Sequence, residues 1–189
     1  MNRSAFYAGV RQAYGALQPS QVAGFELILD EAERRRTPLD RLAYILATPY
    51  WETGRTMQPV KEANWIKNAE AWRKANLRYW PFYGRGYVQL TWDYNYKKAS
   101  AVFGVDFLKN PDLVMDPKYA VPILFTGMEQ GWFTGKKLTD YMDGIDEADV
   151  EDLREFTAAR RIINGTDKAA VIGQIALNFE KALRAAAYK

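Results

Sequence analysis

The sequence contains neither histidine nor cysteine, and these two absences remove most of the familiar routes to catalysis. Without histidine there is no Ser-His or Cys-His pair, no imidazole general base and no histidine-ligated zinc. Without cysteine there is no disulfide, thiolate nucleophile or thiolate metal site, and the redox state of the compartment leaves no mark on the chain. A run of roughly eighteen apolar residues, the minimum for a membrane-spanning helix, is missing too, so stable membrane insertion is not expected. The opening stretch from Met1 to Leu17 alternates apolar and polar residues where a secretion signal would be continuously apolar, which predicts synthesis in the cytoplasm. Internal repeats, low-complexity segments and linkers are also lacking.

What remains is a chain of 189 residues with ordinary hydrophobic and charged fractions, long enough to bury a core of its own as one domain over 1–189. Its net charge is +3, and the basic residues are scattered or mixed with acids, so no nucleic-acid footprint is evident. If the chain is an enzyme, carboxylates are the first suspects.

Two carboxylates stand out in the stretch Leu42 to Glu62. Thr37 is a candidate cap, with Pro38 at the first helical position and Asp40 three residues after the cap, and Leu42, Ile45 and Leu46 follow at helical spacing. Pro49 removes one backbone donor and should loosen the last turn. Gly54 stops the helix, which puts Glu52 at the negative end of the helix dipole beside Tyr50 and Trp51; both effects disfavour its charged form, as a general acid requires. Glu62 follows Gly54 and Pro59 in an expected loop, where it is the candidate base. The bland alternative is that both are solvated glutamates near a helix end, and Glu70 is close enough in sequence to compete with Glu62. As a loop residue, Glu62 is expected to be replaceable by Gln with little change in stability.

Elsewhere, Phe6, Val10, Tyr14 and Leu17 make one apolar face with Ser4 as a cap and Pro19 as a stop. A second helix is predicted from Ser20 to Arg36, with Val22, Phe25, Leu29 and Ala32 inward and the run Glu31 to Arg36 solvated. From Asn64 to Phe82 come Trp65, Trp72, Tyr79, Trp80 and Phe82 among Lys and Arg, a mixture weighted toward core over stacking on sugars or nucleobases. Tyr83-Gly84-Arg85-Gly86 then reads as a tight turn into an extended segment from Tyr87 to Trp92. Helices are predicted from Asp116 to Trp132 and from Glu147 to Ile163, the latter with Val150, Leu153, Phe156 and Ala159 inward. A last helix is capped by Thr166 or Asp167 and carries Val171, Ile175, Phe179 and Leu183. The fold class is mainly α, about seven to nine helices with at most a small β-hairpin.

The segment Tyr83-Gly-Arg-Gly-Tyr-Val-Gln-Leu-Thr-Trp-Asp-Tyr-Asn-Tyr96 resembles the central motif of glycoside hydrolase family 19, the chitinase and phage-endolysin family with a lysozyme-like α fold. Tyr50-Trp-Glu-Thr-Gly54 is similar to the family's HETG block and Ile162-Ile-Asn-Gly165 to its IING block. The wording of Thr56-Met-Gln-Pro59 before Lys61-Glu62 is nearest the endolysin branch. The resemblance implies Glu52 as general acid, Glu62 as the base that activates water, and Thr91 as the residue that holds that water. It implies Gln89, Asn95 and Asn164 as ligands of the sugar or braces of the carboxylates, with Tyr83 and Arg85 as further substrate-side residues. For Arg85, a buried ion pair holding the loop is at least as good a reading. Inversion of configuration is implied, with the carboxyl groups roughly 6.5 to 9.5 Å apart, and neither metal nor organic cofactor.

Two departures stand out. Trp51 replaces the family's usual His, and after Asn164-Gly165 the family's arginine has no clear counterpart, Arg161 and Lys168 being weak substitutes. The expected partner is the glycan strand of peptidoglycan, cut by a monomer that lacks a separate wall-binding module and reaches the wall from the host cytoplasm after holin-mediated release. The alternatives are a chitinase acting on chitin oligomers and a non-catalytic glycan-binding virion protein.

Overall fold

Every residue from Leu42 to Tyr50 is buried, which is the mark of a helix enclosed on all sides. This helix, α3 (Leu39–Glu52), sits against α8 (Ala169–Ala185), and α8 in turn packs on α1 (Arg3–Tyr14) and α7 (Asp149–Ala159). The computed structural model describes residues 1–145 and 148–188. Among them are eight α-helices, the others being α2 (Pro19–Arg35), α4 (Ala69–Asn76), α5 (Asp93–Phe103) and α6 (Pro117–Gln130), and a two-stranded antiparallel sheet. Its strands, β1 (Val60–Lys61) and β2 (Arg85–Gly86), pair Val60 with Gly86 and Lys61 with Arg85. No helix among the described residues is long and apolar enough to cross a membrane.

The rings of Tyr14, Phe25, Tyr50 and Phe179 form one cluster, with centroid separations of 4.8 to 6.4 Å. Such pairs add about 0.5–1.5 kcal/mol each beyond the area they bury. Tyr50 belongs to this cluster and Glu52 lies two residues on, so the carboxylate at the end of α3 is carried by one of the most tightly held turns of the fold. Gly24 of α2 lets this layer close, since a Cβ there would lie 1.8 Å from the carbonyl oxygen of Met57.

Several local expectations need correction. Asn2, not Ser4, caps α1, its Oδ1 accepting from the Ala5 amide at 3.1 Å. Pro19 does not end the first helix, which stops at Tyr14 with Gly15 as its cap; it opens α2. Thr37 caps nothing: Pro38 holds the cap position without a side-chain bond, and the buried Thr37 hydroxyl has no partner. Asp40 instead accepts from its neighbour Arg41 and from the Gly144 amide. Pro49 lies inside α3, which continues to Glu52, and the Thr53 amide and hydroxyl both bond to the Pro49 carbonyl. The strand falls on Arg85 and Gly86, within the expected turn, and not on the expected extended segment from Tyr87 to Trp92, where the chain turns back at once to bridge Arg85 with Leu90. Asp116 does cap α6, as the sequence predicts. The expected start of the next helix at Glu147 lies outside the described residues. In α7, Phe156 and Ala159 are buried and Leu153 packs partly buried against the core, as predicted, whereas Val150 is exposed and Asp152 is buried against Arg184. Lys168, not Thr166 or Asp167, precedes α8.

Candidate active site

Glu52 and Glu62 line the same cleft, a hollow of about 310 Å³ whose walls also include Gly54, Lys61, Asn64, Trp65 and Gln89. They arrive by different routes. Glu52 is the last residue of α3; Glu62 leaves β1 and is anchored at both main-chain and side-chain atoms. Its amide donates to the Gly84 carbonyl at 2.8 Å, and its own carbonyl accepts from Arg73 Nε at 2.6 Å. Its carboxylate accepts from the Tyr79 hydroxyl at 2.7 Å on Oε1 and from the Gly84 amide at 2.9 Å on Oε2. A carboxylate offers about four lone-pair positions, so two donors orient it and leave acceptor capacity for a water. Burial, aided by the bond to Glu62, pushes the Tyr79 phenol up to about 12, which keeps it a donor at neutral pH.

Glu52 faces a charge that the sequence analysis did not find. Arg160, in the short 3₁₀ turn Arg160–Ile162 that follows α7, donates from Nη1 to Glu52 Oε1 at 2.6 Å and from Nε to the Asp167 carbonyl at 3.0 Å. The arginine side chain is 4% exposed and that of the glutamate 18%. A fixed guanidinium therefore opposes the helix dipole that the sequence alone places at Glu52. The weak substitutes lie elsewhere: Arg161 is exposed and donates to the Ala158 carbonyl at 3.5 Å, and Lys168 is exposed ahead of α8. Spacing could have revealed Arg160, since it lies four residues after Phe156 and so on the same buried helical face.

The remaining candidates divide into cleft residues and braces. Gln89 lines the cleft, but its amide donates to the Val60 carbonyl at 3.0 Å. It packs so closely on Gly84 that a Cβ there would meet its Oε1 at 2.6 Å. Thr91 donates its hydroxyl to the Gln89 carbonyl at 2.7 Å, leaving the lone pairs of Oγ1 as acceptors. Asn95 is buried and donates to the Thr91 carbonyl at 2.9 Å, so it positions the Thr91 turn from behind. Tyr83 is buried, with its hydroxyl on Glu70. Arg85 is buried as well, its Nε on Asp112 at 2.7 Å and its Nη1 on the carbonyls of Pro81 and Tyr83; the loop-holding reading describes what it touches. Asn164 is exposed and its amide closes the turn onto the Arg160 carbonyl. Glu70, the competitor of Glu62, is not among the cleft residues. Its own desolvation is outweighed by bonds from Trp80, Tyr83 and Arg73, which hold its carboxyl below the usual range.

Trp65 is 81% exposed at this cleft, against the expectation that the aromatic stretch is mostly core. Trp72 and Trp80 are exposed too. No group of three or more His, Cys, Asp or Glu that could hold a metal ion occurs among the described residues.

Residues 47–137, which carry both glutamates and the turn from Tyr83 to Tyr96, match the family model described as chitinase class I. That segment belongs to glycoside hydrolase family 19. Over 33 residues the chain is 54% identical to endochitinase A2 of Pisum sativum, a match covering 18% of this chain and 10% of that protein. The same identity over the same length joins it to inactive chitinase-like protein 1 of Hevea brasiliensis, again 18% of this chain and 10% of that protein. The chain thus spans about a tenth of the length of these curated family 19 relatives. The fold is shared more widely: chitinase C from Streptomyces griseus HUT6037 superposes with a TM-score of 0.57 at 22% identity, over 95% of this chain and 75% of that one. The mainly helical architecture is therefore a fold shared with that chitinase.

Proposed function

We propose that this protein is a peptidoglycan glycoside hydrolase of the phage-endolysin kind, which cleaves β-1,4 bonds of the wall glycan by an inverting two-carboxylate mechanism. The observation that carries the reading is the pairing in one cleft of two glutamates held in different ways: Glu52 by Arg160, Glu62 by Tyr79 and the Gly84 amide. In this reading Glu52 protonates the leaving glycosidic oxygen. Glu62 takes a proton from a water accepted by the free lone pairs of Thr91, and that water attacks the anomeric carbon on the face opposite the leaving group. Arg160 orients Glu52 and offsets charge as the proton departs, while the exposed face of Trp65 gives a pyranose a surface to stack on. The protein acts as a monomer, made in the cytoplasm and passed to the wall through a holin pore.

A chitinase is the second reading, favoured by the names of the matched proteins. The Hevea protein, named inactive, keeps a third in view: a glycan-binding protein without turnover. One experiment separates them. Outer-membrane-stripped Gram-negative peptidoglycan and chitin oligomers are each incubated with the wild type and with Glu52→Gln, and products are identified by mass and reducing end. Muropeptides released by the wild type alone establish the first reading. Cleavage of chitin alone replaces it with the second, and cleavage of neither leaves a binding protein.

A further inference from the structure

Outside the cleft, four rings and two charges enclose a second hollow of about 320 Å³: Arg78, Tyr79, Trp80, Phe82, Trp92 and Asp93. Its volume falls at the small end of the range of known ligand pockets, about 300–1,000 Å³. The rings are fixed before any ligand arrives. Trp80 Nε1 donates to Glu70 Oε1 at 3.0 Å. Trp92 donates its amide to the Phe82 carbonyl at 2.8 Å, and its indole lies 5.0 Å from the Tyr79 ring, with the Arg78 guanidinium 5.0 Å from the indole centroid. Trp92 also has φ 73° and ψ 142°, a backbone conformation that a bulky side chain rarely adopts and that persists when the surroundings over-determine it. Among the described residues neither Arg78 nor Asp93 has a side-chain hydrogen bond or ion pair, which leaves one donor fork and one acceptor pair at the edge of an aromatic surface. Flat apolar faces with polar groups at their rim match a pyranose, whose axial C–H faces are apolar and whose hydroxyls ring the edge.

We propose that this hollow is a second saccharide-binding site, which takes a sugar unit of the glycan chain outside the cleft. The Tyr79 ring walls the hollow while its hydroxyl holds Glu62, so the two sites share one side chain. The identity of the ligand rests on the glycan-hydrolase reading given above.

The test uses the full chain with Glu52→Gln to prevent turnover, titrated in turn with N-acetylglucosamine hexamer and with soluble glycan strands freed of their peptides. Binding is counted by calorimetry and located by the indole N–H resonances of Trp65, Trp80 and Trp92. The expected result is two sites per chain, with Trp65 reporting one and Trp80 and Trp92 the other. Adding Arg78→Ala and Asp93→Ala, both at the solvent edge, weakens the second site by at least about tenfold and leaves the Trp65 response in place. Saturation at one site seen only by Trp65 overturns this inference and leaves the cleft reading standing. Saturation seen only by Trp80 and Trp92 does the reverse, and no binding by either glycan overturns both. Binding of oligodeoxythymidine but not of glycan at Trp80 and Trp92 also overturns the inference, since the rings would then serve nucleobases.

Discussion

Replacing Arg160 by Met keeps the length of the side chain and removes the charge that, among the described residues, pairs with Glu52. The pair is short at 2.6 Å and its arginine is almost fully enclosed. Breaking such a pair costs about 3–5 kcal/mol when the remaining charge is deeply buried. Glu52 opens partly to the cleft, so water recovers some of that loss, while the bond from Nε to the Asp167 carbonyl is lost as well. We expect Arg160→Met to destabilise by about 3 kcal/mol, equivalent in a chain of this length to about 6–12 °C in Tm. Urea unfolding of the wild type, Arg160→Met, Glu52→Gln and the double variant isolates the pair as a coupling of about 1.5–3 kcal/mol. Turnover should fall in Arg160→Met and recover in part in Arg160→Lys, which restores charge without the fork. A coupling below about 0.5 kcal/mol, with unchanged m-values, would refute the assignment of Arg160 as the residue that holds the acid.

Three further outcomes follow from the geometry. Glu62→Gln should reduce turnover by at least about 10²-fold and cost about 1 kcal/mol of stability. Because Glu62 is half-buried and bonded at every polar group, the near-zero cost expected of a loop surface residue does not apply; turnover and Cm measured together check both parts. Asp112 is desolvated, yet the bonds from Lys61 and Arg85 outweigh this and hold its carboxyl below the ordinary value of 3.8. Its stabilising contribution is therefore complete above pH 3.8 and lost as pH falls through the lower folded value. For a largely exposed carboxylate that is about 0.5–1 kcal/mol, and Asp112→Asn should flatten the stability–pH curve below pH 3.8 by that amount. Trp65→Ala should leave Tm unchanged within about 2 °C, since the ring touches little, yet raise KM about tenfold with a smaller effect on kcat. An unchanged KM would remove Trp65 from the substrate path.

How far the fold could be read from the chain is best seen by comparing α3 with α4 and α5. The periodicity of Leu42, Ile45 and Leu46 announces α3 because that helix is buried all round and its apolar residues are dense. The stretch that forms α4 has one buried side chain, Arg73, and so presents no apolar stripe to read; it is held by the reach of that arginine to the Glu62 carbonyl and over the Tyr83 ring. In α5 the buried residues Asn95, Tyr96 and Ala99 include a polar one, which hides the period. The sheet was half visible: Gly84 and Gly86 mark the turn, but the partner strand is two residues, Val60 and Lys61, too short to carry a pattern.

The same contrast separates the carboxylates from the residues that hold them. Glu52 and Glu62 were legible because each stands in a motif with a resemblance, and the fold brings both to one cleft. Their supports were not legible, since Arg160, Arg73 and Tyr79 act across 108, 11 and 17 residues respectively. In the linear chain Arg73 reads as a solvated cation and Tyr79 as a core ring, and the spacing that puts Arg160 on the buried face with Phe156 does not say which carboxylate it meets. Only a closed fold reveals that a guanidinium four residues after Phe156 points at the end of a helix that begins at Leu39. A charge placed by tertiary contact also revises the local argument. At Glu52 the dipole and the neighbouring aromatics were derived from sequence alone, and they act on the carboxyl together with an arginine 2.6 Å away. Removing the arginine therefore tests how the end of α3 is held more directly than removing the acid.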